Sequence, residues 1–286
     1  MSDLQRDLSI NESANSQAQS QSSNIFKPKK SRHPESEGFW EMLYYNVTPH
    51  LTPISFSVLL SVIYIVMFVI QLCIAGIRLE GQFLESNLES ITYDLAMEVS
   101  LLEKEENAYR VLSYHIVHSD LPSLIFSILM LYIWVSGIEV QIGLIRSALI
   151  YFFSAITGVL FALPVADEGV PIMGGNVGIF GLVGASIGYL LLNWFRIKNK
   201  GLSKFIMIIF VAGIIAFGFL LAQNILSPML MTGGVISGFF LGCCLSPKIE
   251  DKDGNEGNGI HELVIILVGA IVYVVLFASL MTTYIG

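Results

Sequence analysis

The chain has 286 residues, of which 54% are hydrophobic and only 13% charged, and its mean hydropathy is +0.69. Soluble domains carry about 25% charged residues, so this composition excludes an ordinary soluble fold and places the chain in a bilayer. The formal net charge is −8, but its distribution matters more than its sum, and the three cysteines (Cys73, Cys243 and Cys244) lie inside apolar runs and exclude a disulfide framework.

Residues 1–38 are rich in Ser, Gln and Asn and show no apolar period. Such a segment cannot bury enough apolar surface to offset its ordering entropy, so it reads as a disordered cytoplasmic tail. The opening MSDLQRDLSINES has no apolar core of a signal peptide, and the first membrane helix is expected to act as its own signal. Asp3, Asp7 and Glu12 disfavour a mitochondrial transit peptide, leaving the secretory pathway or plasma membrane as the expected location. The tail ends in Lys27, Lys29, Lys30 and Arg32, and Phe39, Trp40, Tyr44 and Tyr45 then form an interfacial aromatic segment.

A spanning helix needs roughly 20 apolar residues. Seven runs meet or approach that length: 54–77, 121–142, 144–163, 176–195, 203–223, 229–245 and 262–285. Backbone groups in lipid have no water to bond, so each run is expected to be a helix. With the N-terminus in the cytoplasm, 12 of the 15 Lys and Arg lie inside: Arg6, the four basic residues of the tail, Arg146, Arg196, Lys198, Lys200, Lys204, Lys248 and Lys252. Only Arg78, Lys104 and Arg110 then lie outside, together with the C-terminus.

The first external loop, 79–113, is long and acidic, and its LESITYDLAMEVSLLEKEE stretch has the apolar spacing of a surface helix. The connector after the sixth run carries Asp251, Asp253, Asn255 and Glu262 at positions one, three, five and twelve of a calcium loop. Glu256 stands where that loop needs its glycine, so a polar connector is the plainer reading. Asn11 and Asn46 head glycosylation patterns but fall on the cytoplasmic side in this topology.

Five motifs then occur in order. Tyr109-Arg110 precedes the second run; SYHIVHSDLPSLIFSILMLYIW carries His118, with Ser123 five residues on and Ser127 four further; GIEVQIG carries Glu139 and Gly143. MGGNVGIFGLVGASIGYLLLNW carries Phe180, Gly181, Leu182, Gly184 and Ala185, and MTGGVISGFFLG carries Gly234, Gly238 and Gly242. Together these resemble the rhomboid family of intramembrane serine proteases over residues 50–245. The resemblance implies an all-α membrane protein: a rhomboid-like bundle of six core transmembrane helices in 39–245, followed by a connector and seventh helix in 246–286.

The resemblance also sets positions. Counting back four from the aromatic Phe180 puts Asn176 at the nucleophile, with Val177 in place of the glycine after it. Met231 stands at the histidine base, and Ser123 and Ser127 stand where the family has the His and Asn of its oxyanion hole. Tyr109 replaces the usual Trp, while Arg110 is kept. A carboxamide is a poor nucleophile and a thioether takes no proton at working pH, so no catalytic residue is expected. Ser186, in the string Gly184-Ala185-Ser186-Ile187-Gly188, is the rival nucleophile. Using it breaks the match at Phe180, Gly181 and Ala185 and places the hydroxyl roughly 15 Å deeper in the bilayer. Its other reading is a small residue at a helix contact.

Isolated from the other motifs, the glycines of the sixth run read as a packing surface. His115 and His118 read either as ligands or proton carriers or as structural groups, His118 tying the external loop to the second helix. Glu139, at a helix end, is expected to bond backbone groups or a nearby Arg. The leading expectation is an inactive rhomboid-like pseudoprotease that binds single-pass or misfolded membrane proteins and affects their trafficking or degradation. It is expected to use no metal, cofactor or nucleic acid. The first alternative is an active rhomboid serine endopeptidase with a divergent site. The second is a channel or transporter, which the scarcity of ionisable groups in the spans disfavours.

Overall fold

Apolar runs, with charge confined to their end turns, form six long helices among the described residues of the computed structural model. These residues are 53–75, 77–78, 85–86, 94–98, 107, 109–166, 171–194, 208, 212–213, 226–248 and 259–284. The tail 1–38, the aromatic segment after it, both glycosylation patterns, most of the loop 79–113, nearly all of the fifth run 203–223 and the connector 249–258 lie outside them. The helices are α1 (Phe56–Ala75), α2 (Leu121–Ile142), α3 (Leu144–Ala162), α4 (Asn176–Leu192), α5 (Leu226–Leu245) and α6 (Gly259–Tyr284). Because the fifth run is outside the described residues, α5 is the sixth run of the sequence and α6 the seventh.

Five of these helices are long and apolar enough to cross a membrane. The sixth, α4, has 17 residues. At 1.5 Å per residue that is about 25 Å, short of a hydrocarbon core of about 30 Å. It is also buried around most of its circumference, as expected of an apolar helix surrounded by others. The chain is thus an all-α membrane protein. One short exception is an antiparallel pairing of Ile77–Arg78 with Glu85–Ser86.

Helix ends follow local chemistry. Asp120 caps α2 by accepting from the Ser123 N–H at 2.7 Å, and Pro122 sits in the first turn, where a missing N–H leaves no bond unmade. Gly143 joins α2 to α3 with φ of +95°, a conformation that residues with a Cβ rarely adopt. Helix α5 starts three residues before the apolar run does, because Pro228 is tolerated in a first turn. Within α2, Leu131–Val135 forms one π-helical turn.

The core seam lies between α4 and α5. A Cβ on Gly234 would overlap the Val177 carbonyl, one on Gly238 the Gly181 carbonyl, and one on Gly242 the backbone of Ala185. Conversely, a Cβ on Gly184 would meet the Val235 carbonyl and one on Gly188 the Phe239 carbonyl. Partner numbers rise together in steps of four, so α4 and α5 run parallel with their backbones in contact through glycine.

Helix α6 is peripheral. Its Tyr273 hydroxyl meets Thr157 Oγ1 of α3 at 3.0 Å, and Glu262 near its start pairs with Lys248 at 3.0 Å. Glu262 therefore serves as a helix-end ion pair. The other three positions of the calcium-loop pattern are outside the described residues.

Asp94 and Leu95 are helical, but the surface-helix expectation for the loop 79–113 does not hold at Met97. Its N–H and C=O both pair with Ile172, at 3.0 and 2.7 Å, so the chain is extended there. Apolar periodicity favoured a helix, but Ile172 supplies a buried backbone partner.

Candidate functional site

One end of the bundle gathers the start of α4, the first half of α2, the start of α5, the end of α1 and the turn before α2. Asn176 is the first residue of α4. Its Oδ1 lies 2.9 Å from Ser127 Oγ of α2, and Ser127 Oγ lies 3.1 Å from His118 Nε2. The Ser127 hydroxyl also reaches its own helix at Ser123 O, 3.0 Å away. His118 and Ser127 are fully buried, whereas Asn176 and Ser123 are half-buried.

His118 is held from three sides. The Gln71 side chain bonds its backbone in both directions, Nε2 to His118 O at 3.1 Å and His118 N to Oε1 at 3.4 Å. The Tyr64 ring meets the imidazole edge-on, with centroids 4.6 Å apart. Burial pushes His118 down to about 4, so the ring is neutral and carries one N–H. With that hydrogen on Nε2, a directed chain runs His118 to Ser127 to Asn176 Oδ1.

Beneath Asn176, the hydroxyls of Tyr64 and Tyr151 bond each other, and a Cβ on Gly175 would strike both. His115 packs edge-on against Tyr114, Tyr151 and Phe152, and neither ring nitrogen has a hydrogen-bond partner among the described residues. Burial lowers it to about 4 as well.

Met231 is buried on α5, three residues before Gly234. Since Gly234 faces Val177, the parallel register sets Met231 within about one turn of the level of Asn176. Ser186 lies on the same helix as Asn176 but ten residues on; it is buried and donates to its own helix at Val183 O, 2.6 Å. The structure therefore gathers Asn176, Ser127, Ser123, His118 and the Met231 level at one end, and leaves Ser186 in the interior.

The remaining motif residues serve the frame. Arg110 is buried and donates to Ala96 O at 3.0 Å and to Asn107 Oδ1 at 3.4 Å, joining two parts of the loop 79–113. Ser113 donates to Leu95 O at 2.8 Å, and Tyr114 O accepts from Gly174 N at 3.1 Å. The loop is thus tied to the strand leading into Asn176. At the opposite end, Glu139 accepts from Phe56 N at 2.6 Å, Ser57 N at 3.1 Å and Ser57 Oγ at 3.0 Å. It satisfies N–H groups that the first turn of α1 leaves unpaired. Phe180 is buried one turn into α4, and Gly181 packs on Ser154 of α3.

Gln71, Tyr64, Tyr151 and Asp120 shape the site without having been singled out from sequence. Gln71 had a signal, being the one carboxamide within the apolar helix α1. Asp120 had another, the cap-and-proline pattern before α2. The tyrosines had none, since an aromatic in an apolar run is ordinary. Among the described residues no group of three or more His, Cys, Asp or Glu could hold a metal ion.

Comparison with known proteins agrees with this arrangement. Residues 105–248, half of the chain, match the family described as Rhomboid domain. RHOMBOID-like protein 7 of Arabidopsis thaliana is 27% identical over 154 residues, covering 50% of this chain and 48% of that protein. Rhomboid-like protease 1 of Toxoplasma gondii is 23% identical over 214 residues, covering 75% of this chain and 70% of that one. RHOMBOID-like protein 4 of Arabidopsis thaliana is 24% identical over 163 residues, covering 57% and 40%. The chain thus spans about half the length, or less, of these Arabidopsis relatives. Family match, helical architecture and motif order agree, and the chain belongs to the rhomboid family.

Proposed function

We propose that this rhomboid is catalytically inactive and binds single-pass or misfolded transmembrane clients, affecting their trafficking or degradation. One observation supports the reading: counted from the glycines that pack α4 on α5, the family resemblance assigns Asn176 and Met231 to the hydroxyl and base positions of a serine protease of this fold. Losing a nucleophile or its base costs on the order of 10⁶ in turnover. The seam supports the register, because sliding Ser186 to the position of Asn176 would displace α4 by ten residues, roughly 15 Å, and disengage every glycine contact. In this reading a client helix reaches the site laterally, from the bilayer. The N-terminus is cytoplasmic, as the basic residues favour, and the protein resides in the secretory pathway or plasma membrane.

The competing reading is an active endopeptidase with a divergent site, and the name of the Toxoplasma relative, a rhomboid-like protease, favours it. Ser186 is a poor candidate for it, since its hydroxyl is buried and bonded to its own helix. The deciding experiment is reconstitution of the full chain in liposomes with a generic transmembrane rhomboid substrate and a fluorophosphonate probe. The expected result is neither cleavage nor labelling from a folded sample. Cleavage together with labelling at a mapped serine establishes the protease instead.

A further inference from the structure

Among the described residues, helix α6 meets the bundle along one narrow face. Only 6% of its span is buried, against 33–56% for the other four spans. Glu262, Gly269, Tyr273 and Phe277 share the inward face at helical spacing, while Leu267, Ile271, Val274 and Val275 are exposed. Lipid tails are as apolar as these side chains, so apolar contact alone does not hold a helix in place there. Close approach and hydrogen bonds do. A Cβ on Gly269 would crowd Cys243, Cys244 and the Phe240 carbonyl of α5 at 3.1–3.3 Å. One turn on, near the middle of α6, the Tyr273 hydroxyl reaches Thr157 Oγ1 of α3 at 3.0 Å. Thr157 uses its own proton on Phe153 O at 2.8 Å, so the phenol is the donor between them. Ser237 of α5 is fully buried and faces the same phenol, without a hydrogen bond of ordinary geometry. The phenol oxygen has a lone pair for that proton. A further turn along, Phe277 stacks on Tyr273 and meets Phe153 edge-on.

We infer that α3 and α5 form a second helix-binding site, keyed to a phenol at mid-bilayer depth. Helix α6 fills it reversibly, and a separate transmembrane helix with Gly, Tyr and Phe at the same four-residue spacing fills it in place of α6. The site lies under α6, apart from the start of α4, and does not depend on whether the protein cleaves anything. Its selectivity follows from reach and charge. A phenylalanine offers no donor to Thr157 and no acceptor to Ser237, serine and threonine lack the ring that carries the hydroxyl across to α3, and a charged group is costly at that depth. Exchange is accessible because the hold is small: one hydrogen-bonded side chain, one glycine contact, a stacked ring and an end ion pair whose Lys248 is half exposed. What favours α6 over a competitor is its covalent link through residues 249–258, which keeps it close to the site.

The test uses the full chain in nanodiscs and a synthetic peptide of residues 259–284 with the photo-crosslinker benzoylphenylalanine in place of Phe277. The same peptide with Tyr273→Phe is the control, and mass spectrometry maps crosslinks around Phe153 of α3. The native chain should crosslink weakly, since its own α6 occupies the site. The Tyr273→Phe chain should gain roughly three- to tenfold with the tyrosine peptide and nothing with the control. Adding Thr157→Val to that chain should abolish the gain. Equal yields from the native and Tyr273→Phe chains overturn the exchange, as does no crosslink near Phe153 in either. A gain shared by the control peptide overturns the phenol key. Should the variants misfold, raising the peptide-to-chain ratio on the native chain keeps the test decisive. A saturating crosslink from the tyrosine peptide alone is expected, and identical curves for the two peptides overturn the site.

Discussion

Helix α4 carries two regions that obey different rules. From Phe180 onward Gly181, Gly184 and Gly188 are fitted against α3 and α5 so closely that a Cβ would overlap neighbouring atoms. One turn earlier stand Asn176 and Val177, at positions where the proposed reading puts the serine and glycine of the protease. The difference teaches that fold and chemistry are separable here. The seam depends on backbone proximity, which only small residues permit, and any larger side chain is penalised directly. The reaction depends on one hydroxyl and one base, whose replacement leaves the packing in place.

The largest expected effect lies in the seam. Gly238→Val drives a branched side chain into the Gly181 carbonyl, a backbone atom that cannot step aside. The expected loss is several kcal/mol, read as failure to obtain a monodisperse folded sample in detergent. A Gly238→Val protein with a native melting curve would show that the two helices are not in contact there.

Acid should act next, and at the site end. His115 and His118 are held near 4 in the folded protein against an ordinary value of 6.5. Between those values the unfolded chain binds more protons, so stability is complete above about pH 6.5 and is lost as pH falls toward 4. The slope is about 1 kcal/mol per pH unit for each histidine. Melting temperature against pH measures it. Replacing His115, which has no hydrogen bond to lose among the described residues, with Phe should remove about half of the slope. A slope unchanged in His115→Phe would place the proton uptake elsewhere.

Glu139→Ala tests the frame at the opposite end. It strips three hydrogen bonds from the first turn of α1 and should cost about 2 kcal/mol in a denaturant or thermal titration. Client crosslinking at the site end should persist once the protein is folded. The smallest expected change is in catalysis: Asn176→Ser restores a hydroxyl but leaves Met231 without a proton-accepting group, so fluorophosphonate labelling should stay at background. Labelling of that variant would mean that another residue serves as base.

Much of the fold was legible because each cue was local. Apolar run length marked the helices, and a four-residue glycine spacing set the face of α5 that meets α4. The positions of Asn176 and Met231 followed from counting along those helices. What was illegible joins residues far apart in the chain. Nothing near Glu139 points to Phe56, 83 positions away, and nothing near Ser127 points to Asn176, 49 positions away. Met97 was misread because a periodic pattern cannot report that Ile172 waits to pair with it.

By itself, then, the sequence determined that this chain lives in a bilayer and that its helices follow a rhomboid order, and it set Asn176 and Met231 where the resemblance implies a serine and a histidine. These are properties of residue type and spacing, and lipid enforces them by leaving a backbone no alternative to a helix. Only the tertiary structure decided what surrounds Asn176: its amide is held by the oxygen against a buried serine, which in turn meets a neutral histidine. That arrangement depends on which side chains two packed helices and the turn before α2 bring within 3 Å or so of one another, and hydrogen bonds are too short-ranged and directional to be read from spacing along one chain.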